Sequence, residues 1–465
     1  MAARNIFWSQ WLACIIVSLA VLSAGLSNGW TSPFLAKLTI PNIETSFKLT
    51  ESEASWVASL VNLGRFFGVI IGAILQGIVG RKNTILMATL PITIGWSSMI
   101  FSNSVLWLYS ARIFCGIGSG ITWSAISLYI SEIADSSIRG SLILLTTNTA
   151  SFGALLGNII GPYLKLEEFG YVVLTIIIIF IILFSFIPDS PYYYILMNNE
   201  KKAEQSLKWY KPNAIISKEI NEIKLFIGND NLNLKEKLME FNKPNNRKNI
   251  ISLLILNIFL LLSGHNIMSY YAEIIVIKSK INIKPSNVVI LLGFCTVIAG
   301  ITATFVIDKF GRRFLLISSS IGTCLSMIIL SLHFHLLSLN YHPNNLIALP
   351  IIGLLLFNFS ISLGMIPVPG ALLGELFEHN TKTYASMFFS GSLSILSFLT
   401  TKTFQPVLNI IGEKYIFLLF SFGAFFTAPF TYFFINETKG KTLVDIQKNS
   451  QTLSIDKKGV NTISS

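Results

Sequence analysis

Apolar residues run along this chain in blocks of about 20, with polar residues gathered in short gaps between them. The blocks fall at 11–30, 55–79, 84–101, 106–130, 140–162 and 170–187, then at 250–276, 287–307, 313–336, 346–372, 383–407 and 415–435. About 20 apolar residues in a helix match the hydrocarbon thickness of a bilayer. The pattern therefore predicts an all-α membrane protein with twelve transmembrane helices in two groups of six. A polar segment from Pro188 to Asn249, holding eleven Lys/Arg and eight Asp/Glu, separates the groups and is expected to be partly helical. The expected division is a first half over 1–187, a linker over 188–249, a second half over 250–435 and a tail over 436–465. The first block follows Arg4, but Trp11 to Trp30 is long enough to span and no small-residue cleavage site follows it, so it reads as a helix rather than a leader.

Composition narrows the class. Of 465 residues, 52% are apolar and 12% charged, against about 25% charged in an ordinary soluble protein. Too few polar groups remain to cover a water-facing surface. That excludes a soluble enzyme, a disordered chain and a nucleic-acid binder, despite a formal net charge of +11. The sequence holds no phosphate-binding Gly loop, HExxH or GxSxG, and calls for no metal or cofactor. Cys14, Cys115, Cys295 and Cys324 each lie in an apolar block and form no CxxC pair.

The positive charges orient the chain. With the N-terminus inside, 24 of the 34 Lys/Arg fall on the inner side, 7 on the outer side, and Arg65, Arg112 and Lys402 within spans. Basic residues favour the cytoplasmic side, so both termini and the linker are expected there.

The inner helix ends also repeat. Gly80-Arg81-Lys82 follows the second block, and Asp308-Lys309-Phe310-Gly311-Arg312-Arg313 follows the eighth. Glu132 stands seven residues before Arg139 after the fourth block, and Glu375 stands seven before Lys382 after the tenth. IPDSPYY follows the sixth block and INETKGKT the twelfth, with Asp189 and Glu437 in like places. One six-helix unit thus occurs twice in parallel, which places a solute cavity between the halves at mid-membrane. Charges at this depth are paired or wet. Arg81, Lys82, Glu132, Arg139, Asp189, Asp308, Arg312, Arg313, Glu375, Lys382 and Glu437 are therefore expected to form a cytoplasmic gate, pairing as the halves close and parting as they open inward.

These motifs resemble the sugar-porter branch of the major facilitator superfamily, its insect trehalose and hexose carriers in particular. Over nearly the whole chain, GWTSP (29–33), SWVASL (55–60), YISEIADSSIRGSL (129–142), SGHNIMSYYAE (263–273), IPVPGALLGELF (366–377) and NETKGKTLVDI (436–446) follow that family's patterns. The resemblance implies facilitated transport of a sugar, trehalose or a hexose, by alternating access in the plasma membrane. It assigns the substrate site to Asn266, Thr147, His265, Tyr270, Tyr271 and Gly370. Ser27 stands where proton-coupled members carry an Asp, which favours uniport.

The departures are substantial. Leu260 and Leu261 replace two sugar-binding glutamines, Thr147 replaces a third, Gly370 replaces a tryptophan, and Leu393-Ser394 replaces an Asn-Trp pair. A sugar leaving water needs a hydrogen-bond partner for each hydroxyl, at about 1–3 kcal/mol per group left unsatisfied. A carrier for a different small solute and a non-transporting sugar sensor therefore stay open. Arg112 is either a functional cation or a partner of backbone carbonyls. Arg65 either lines the cavity, favouring an anionic solute, or snorkels. His265 either meets the solute or packs.

Overall fold

The computed structural model describes residues 8–40, 47–135, 137–212, 215–228, 239, 243–377 and 379–439. The first six spans are Trp8–Thr39, Glu51–Ile78, Arg81–Ile100, Val105–Ile133, Arg139–Ile160 and Leu166–Ser185. The first is longer than its apolar block because it continues through Thr31, Ser32 and Pro33. The Thr31 hydroxyl donates to the Ser27 carbonyl one turn back (3.1 Å), so the polar stretch satisfies itself inside the helix. The second span starts on a capping box: the Thr50 side chain accepts from the Glu53 N–H, and the Glu53 carboxylate accepts from the Thr50 N–H.

Two of the later spans are interrupted. The seventh consists of Pro244–Leu262, His265–Tyr270 and Ala272–Lys278, broken at Gly264, which sits at φ 85°. The eighth and ninth are Pro285–Phe310 and Arg312–Ser338. The tenth runs Ala348–Ser360, then a π-helical turn Ile361–Met365, then Pro367–Leu376. The eleventh and twelfth form one hydrogen-bonded run, His379–Phe434, bent at Gly412 (φ 79°, ψ 167°). That makes twelve spans, so both described ends of the chain emerge on one face. This face, expected from its basic residues to be cytoplasmic, is called the inner face.

Small residues let neighbouring spans touch backbone to backbone. A Cβ added at Gly64 or Gly68 in the second span would lie 2.2 or 2.1 Å from carbonyl oxygens of the fourth span. Gly29 abuts the Ala154 carbonyl of the fifth span in the same way.

Three cores form among the spans, with a fourth, small one among the polar-segment helices, and the distribution of the three states the conformation. One joins both halves toward the outer face, with Trp30, Phe34 and Trp96 from the first half and Tyr270, Tyr271, Phe404 and Phe420 from the second. Toward the inner face the halves keep separate cores, one around Tyr129, Phe180 and Phe184 and one around Leu315, Leu372 and Phe377. All the described hydrogen bonds between halves are also outer: Tyr270 hydroxyl to Asn62 Oδ1 (3.4 Å), Glu273 N–H to Ser32 Oγ (3.0 Å), Lys402 Nζ to Ser55 Oγ (2.8 Å) and Asn409 Nδ2 to Glu51 Oε2 (3.0 Å). The molecule is closed on the outer side and open on the inner one.

Among its described residues the polar segment contributes three helices, Pro191–Leu196, Glu200–Tyr210 and Ile216–Gly228. They pack on the first half. Gln10 Nε2 donates to the Tyr210 carbonyl (3.1 Å), and the Tyr210 hydroxyl bonds to that of Tyr129 (2.7 Å) and donates to the Pro188 carbonyl (2.7 Å).

Candidate functional site: a mid-membrane cavity and its inner rim

The break in the seventh span exposes side chains to a cavity of about 140 Å³ at mid-depth between the halves. Its second-half wall carries Asn257, Leu260, His265 and Asn266 from the seventh span, Pro369 and Gly370 from the tenth, and Leu393 and Ser397 from the eleventh. Arg65 of the second span faces them from the first half. A Cβ built at Gly370 meets nothing within 4 Å, so glycine enlarges the space there.

Of the six residues assigned to the substrate site, three line this cavity: Asn266, His265 and Gly370. Asn266 is buried and its Nδ2 has no hydrogen-bond partner. An orphaned buried donor costs free energy unless something else satisfies it. Thr147 is exposed on the fifth span, and its hydroxyl bonds back to the Ile143 and Leu144 carbonyls. It is not in the cavity wall. Tyr270 and Tyr271 lie in the outer core, where Tyr270 reaches Asn62 across the halves and Tyr271 packs on Phe404 with ring centroids 5.0 Å apart. They seal the outer side.

The sequence reading passed over Asn257. Its Nδ2 donates to the Phe389 carbonyl and the Ser392 hydroxyl (3.2 Å each), leaving Oδ1 buried without a partner. It is the sole amide between Ile250 and Leu262, three residues before Leu260 and so on the same helix face. Leu260 both lines the cavity and packs into the shared outer core, whereas Leu261, equally buried, does not line the cavity. Two positions that looked equivalent face different surroundings.

Arg112 is fully buried and structural. Its Nε donates to the Val57 carbonyl (3.0 Å), Nη1 to the Ser27 carbonyl and hydroxyl (3.1 and 3.3 Å), and Nη2 to the Thr31 hydroxyl (2.9 Å). Its guanidinium lies 5.2 Å from the Trp30 ring. The fourth span is thereby stapled to the first and second.

At the inner rim the duplicated motifs build one arrangement twice. Gly80 and Gly311 begin the third and ninth spans at φ 88° and 92°. An acid from the end of the same half caps each start. Asp189 Oδ1 accepts from the Lys82 N–H (3.1 Å), and Glu437 accepts from the Arg312 and Arg313 N–H groups (3.1 and 3.0 Å). A Cβ at either glycine would come within 2.6 Å of the capping carboxylate, so side chain and cap exclude each other. The helix dipole favours a negative charge at these starts. Burial pushes the Asp189 carboxyl up from its ordinary range, against two backbone donors. For Glu437 burial also acts upward, but four backbone N–H groups outweigh it together and hold the carboxyl down.

Beside each cap, Arg81 binds Glu132 (2.8 Å) and Arg312 binds Glu375 (2.8 Å). Lys82 Nζ donates to the Ser185 carbonyl (2.8 Å), and Arg313 reaches the Tyr432 carbonyl with its guanidinium 4.6 Å from that ring. Arg139 is exposed at the start of the fifth span. The side chains of Asp308 and Lys382 lie outside the described residues. The pairs join neighbouring helices as expected, but the expected parting on inward opening is not seen for the two pairs described. Each joins spans of one half, and each is intact while the inner side is open, because the short turn before the third or ninth span already packs on the fourth or tenth. What inward opening leaves over is the second oxygen: Glu132 Oε2 and Glu375 Oε2 are both buried without a partner.

Two six-helix halves around a polar mid-membrane cavity, sealed on one face and open on the other, define an alternating-access carrier. The solved structures it resembles agree on the fold: the inward-open xylose transporter XylE from E. coli (TM-score 0.76, 20% identity, 94% of this chain and 99% of that one) and the proton:xylose symporter XylE bound to 6-bromo-6-deoxy-D-glucose (TM-score 0.72, 20% identity, 94% and 98%). The chain belongs to the sugar (and other) transporter family, whose profile matches residues 13–449. Among curated relatives it is similar to the facilitated trehalose transporters Tret1 of Bombyx mori (29% identity over 444 residues, 95% of this chain and 86% of that protein) and Polypedilum vanderplanki (28% over 443 residues, 95% and 88%).

Proposed function

We infer that this protein is a facilitative, uniporting sugar carrier of the plasma membrane, with both termini and the linker in the cytoplasm. The observation that carries the reading is the cavity at the break of the seventh span. There Asn266 and Asn257 hold an unpaired donor and an unpaired acceptor beside Leu260 and Leu393. Amides that hydrogen-bond hydroxyls, set against an apolar wall for a ring face, suit a saccharide. The names of the relatives make trehalose and hexoses the first solutes to try.

Uniport rests on Arg112. Its partners in the first span are Ser27 and Thr31, neither of which exchanges a proton near neutral pH. The units of motion are the half within 1–187 with its docked linker and the half within 250–435. On inward closure the spare oxygens of Glu132 and Glu375 take up basic residues across the rim, Arg139 and Lys382 being placed for this by the repeat. The third and ninth helix starts, with Asp189 and Glu437, hold that rim rigid in both states.

The experiment is uptake of labelled trehalose and D-glucose by proteoliposomes holding the full chain, with and without a protonophore. Saturable uptake that is indifferent to the protonophore is expected. Uptake that collapses with the proton gradient refutes uniport. Absence of uptake together with retained sugar binding makes the protein a sensor.

A further inference from the structure

Arg65 lies fourteen residues from one end of the second span and thirteen from the other, or about 20 Å from either end of that helix at 1.5 Å per residue. Its helix is fixed on the neighbouring face, where Gly64 and Gly68 abut the fourth span, and the Arg65 side chain itself lines the cavity. The side chain therefore projects into the cavity and does not reach along the helix toward a headgroup. Its Nε is buried without an acceptor. Across the same space stands the orphaned Nδ2 of Asn266, and no residue of the cavity wall is acidic. Arg112, the neighbouring cation, is fully engaged with the first and second spans and takes no part.

A lone cation at this depth is tolerable while the inner side admits water. It becomes costly each time the halves close over it, because a buried charge needs a counter-charge. A neutral sugar offers only hydroxyl oxygens. A carboxylate offers two charged oxygens in the spacing of the guanidinium fork, and the resulting hydrogen bonds are about twice as strong as neutral ones. Resting on the carrier reading, we propose that the cavity's preferred cargo is a sugar bearing one carboxylate, with the acid group held between Arg65 and Asn266. The ring then lies against Leu260, Leu393 and Pro369, and Asn257 Oδ1 receives a hydroxyl.

This cargo makes uniport electrogenic, since one negative charge crosses per turnover. At an inside-positive potential of 100 mV its equilibrium accumulation in vesicles rises about 50-fold, and that of a neutral sugar does not change. The test is uptake of radiolabelled D-glucuronate and D-glucose by proteoliposomes of the full chain under imposed potassium diffusion potentials. D-glucuronate is expected to be taken up at least about 10-fold faster at equal concentration and to follow the potential. Arg65→Gln should abolish that preference and Arg65→Lys should keep most of it. If D-glucose enters while D-glucuronate neither enters nor competes, the charged-cargo assignment is wrong and the carrier reading stands. If monodisperse wild-type protein moves neither of these nor trehalose, both fall. The response of the wild type to potential decides the matter even where Arg65→Gln fails to fold.

Discussion

The two helix-start caps are related by the internal repeat but are not equivalent, and the difference is measurable. Glu437 accepts from four backbone N–H groups: Arg312, Arg313, Thr438 and Lys439, at 3.1, 3.0, 3.0 and 2.9 Å. Asp189 accepts from two, Lys82 and Ser190, at 3.1 and 2.7 Å, and its Oδ2 is buried unpaired. Removing a good cap costs about 1–2 kcal/mol. For a unit of 150–250 residues, close to the size of one half, each kcal/mol moves Tm by about 2–4 °C. Glu437→Gln should therefore lower Tm by about 2–8 °C at pH 7.5, and Asp189→Asn by less. The pH signs are opposite. Glu437 is held below its ordinary 4.5, so its contribution is full above that value and is lost as pH falls through the lowered one. Asp189 is raised above its ordinary 3.8, so its contribution is full below that value and is lost as pH rises through the raised one. Thermal unfolding of wild type and both variants in detergent, at pH 7.5 and 4, reads this directly. Equal losses for the two variants, or a Glu437→Gln deficit that grows on acidification, would refute the capping argument.

Arg112→Leu should destabilise by about 3–5 kcal/mol, since it strips the Ser27 and Val57 carbonyls of their charged donor and opens a void beside Trp30. Gel-filtration profiles after heating would show the loss, and a profile like wild type would mean the staple is dispensable. Lys402→Met removes the bond to Ser55 and the contact 4.2 Å over the Trp56 ring, together about 1–2 kcal/mol of outer closure. Labelling of a cysteine placed on the outer cavity wall should rise about 5- to 30-fold; unchanged labelling would show that this contact does not hold the outer side shut. Leu260→Gln should raise D-glucose uptake by supplying a cavity amide, whereas Leu261→Gln should cost about 1–3 kcal/mol of stability by burying an amide away from the cavity. Matching behaviour of these two variants in uptake and melting would contradict their separate surroundings.

The apolar blocks foretold all twelve spans, because bilayer thickness leaves helix length little freedom. The inner-rim repeat was equally legible, since its glycines, acids and arginines recur at near-constant offsets. What periodicity could not show was direction. Leu260 and Leu261 are adjacent in the sequence, and which one meets the cavity depends on how the helix rotates before the break at Gly264. Thr147 was assigned to the cavity by motif alone, yet its hydroxyl is spent on its own helix. Asn257 went unnoticed because one amide in an apolar run reads as incidental until its face is known. That the rim pairs persist while the inner side is open was not legible, because a sequence gives the charges of a rim without saying which ones the resting turn has already joined.

The docking of the three polar-segment helices has a consequence for the mechanics of the molecule. Through Gln10, Tyr129 and Tyr210 they are fastened to the first half, so the duplicated bundles are unequal as moving parts. The first half is a heavier body, weighted on its inner end; the second is a lighter one. Rocking about the outer core then displaces the second half more than the first. Anything that grips the docked helices gains a handle on the stationary frame and leaves the swinging part untouched.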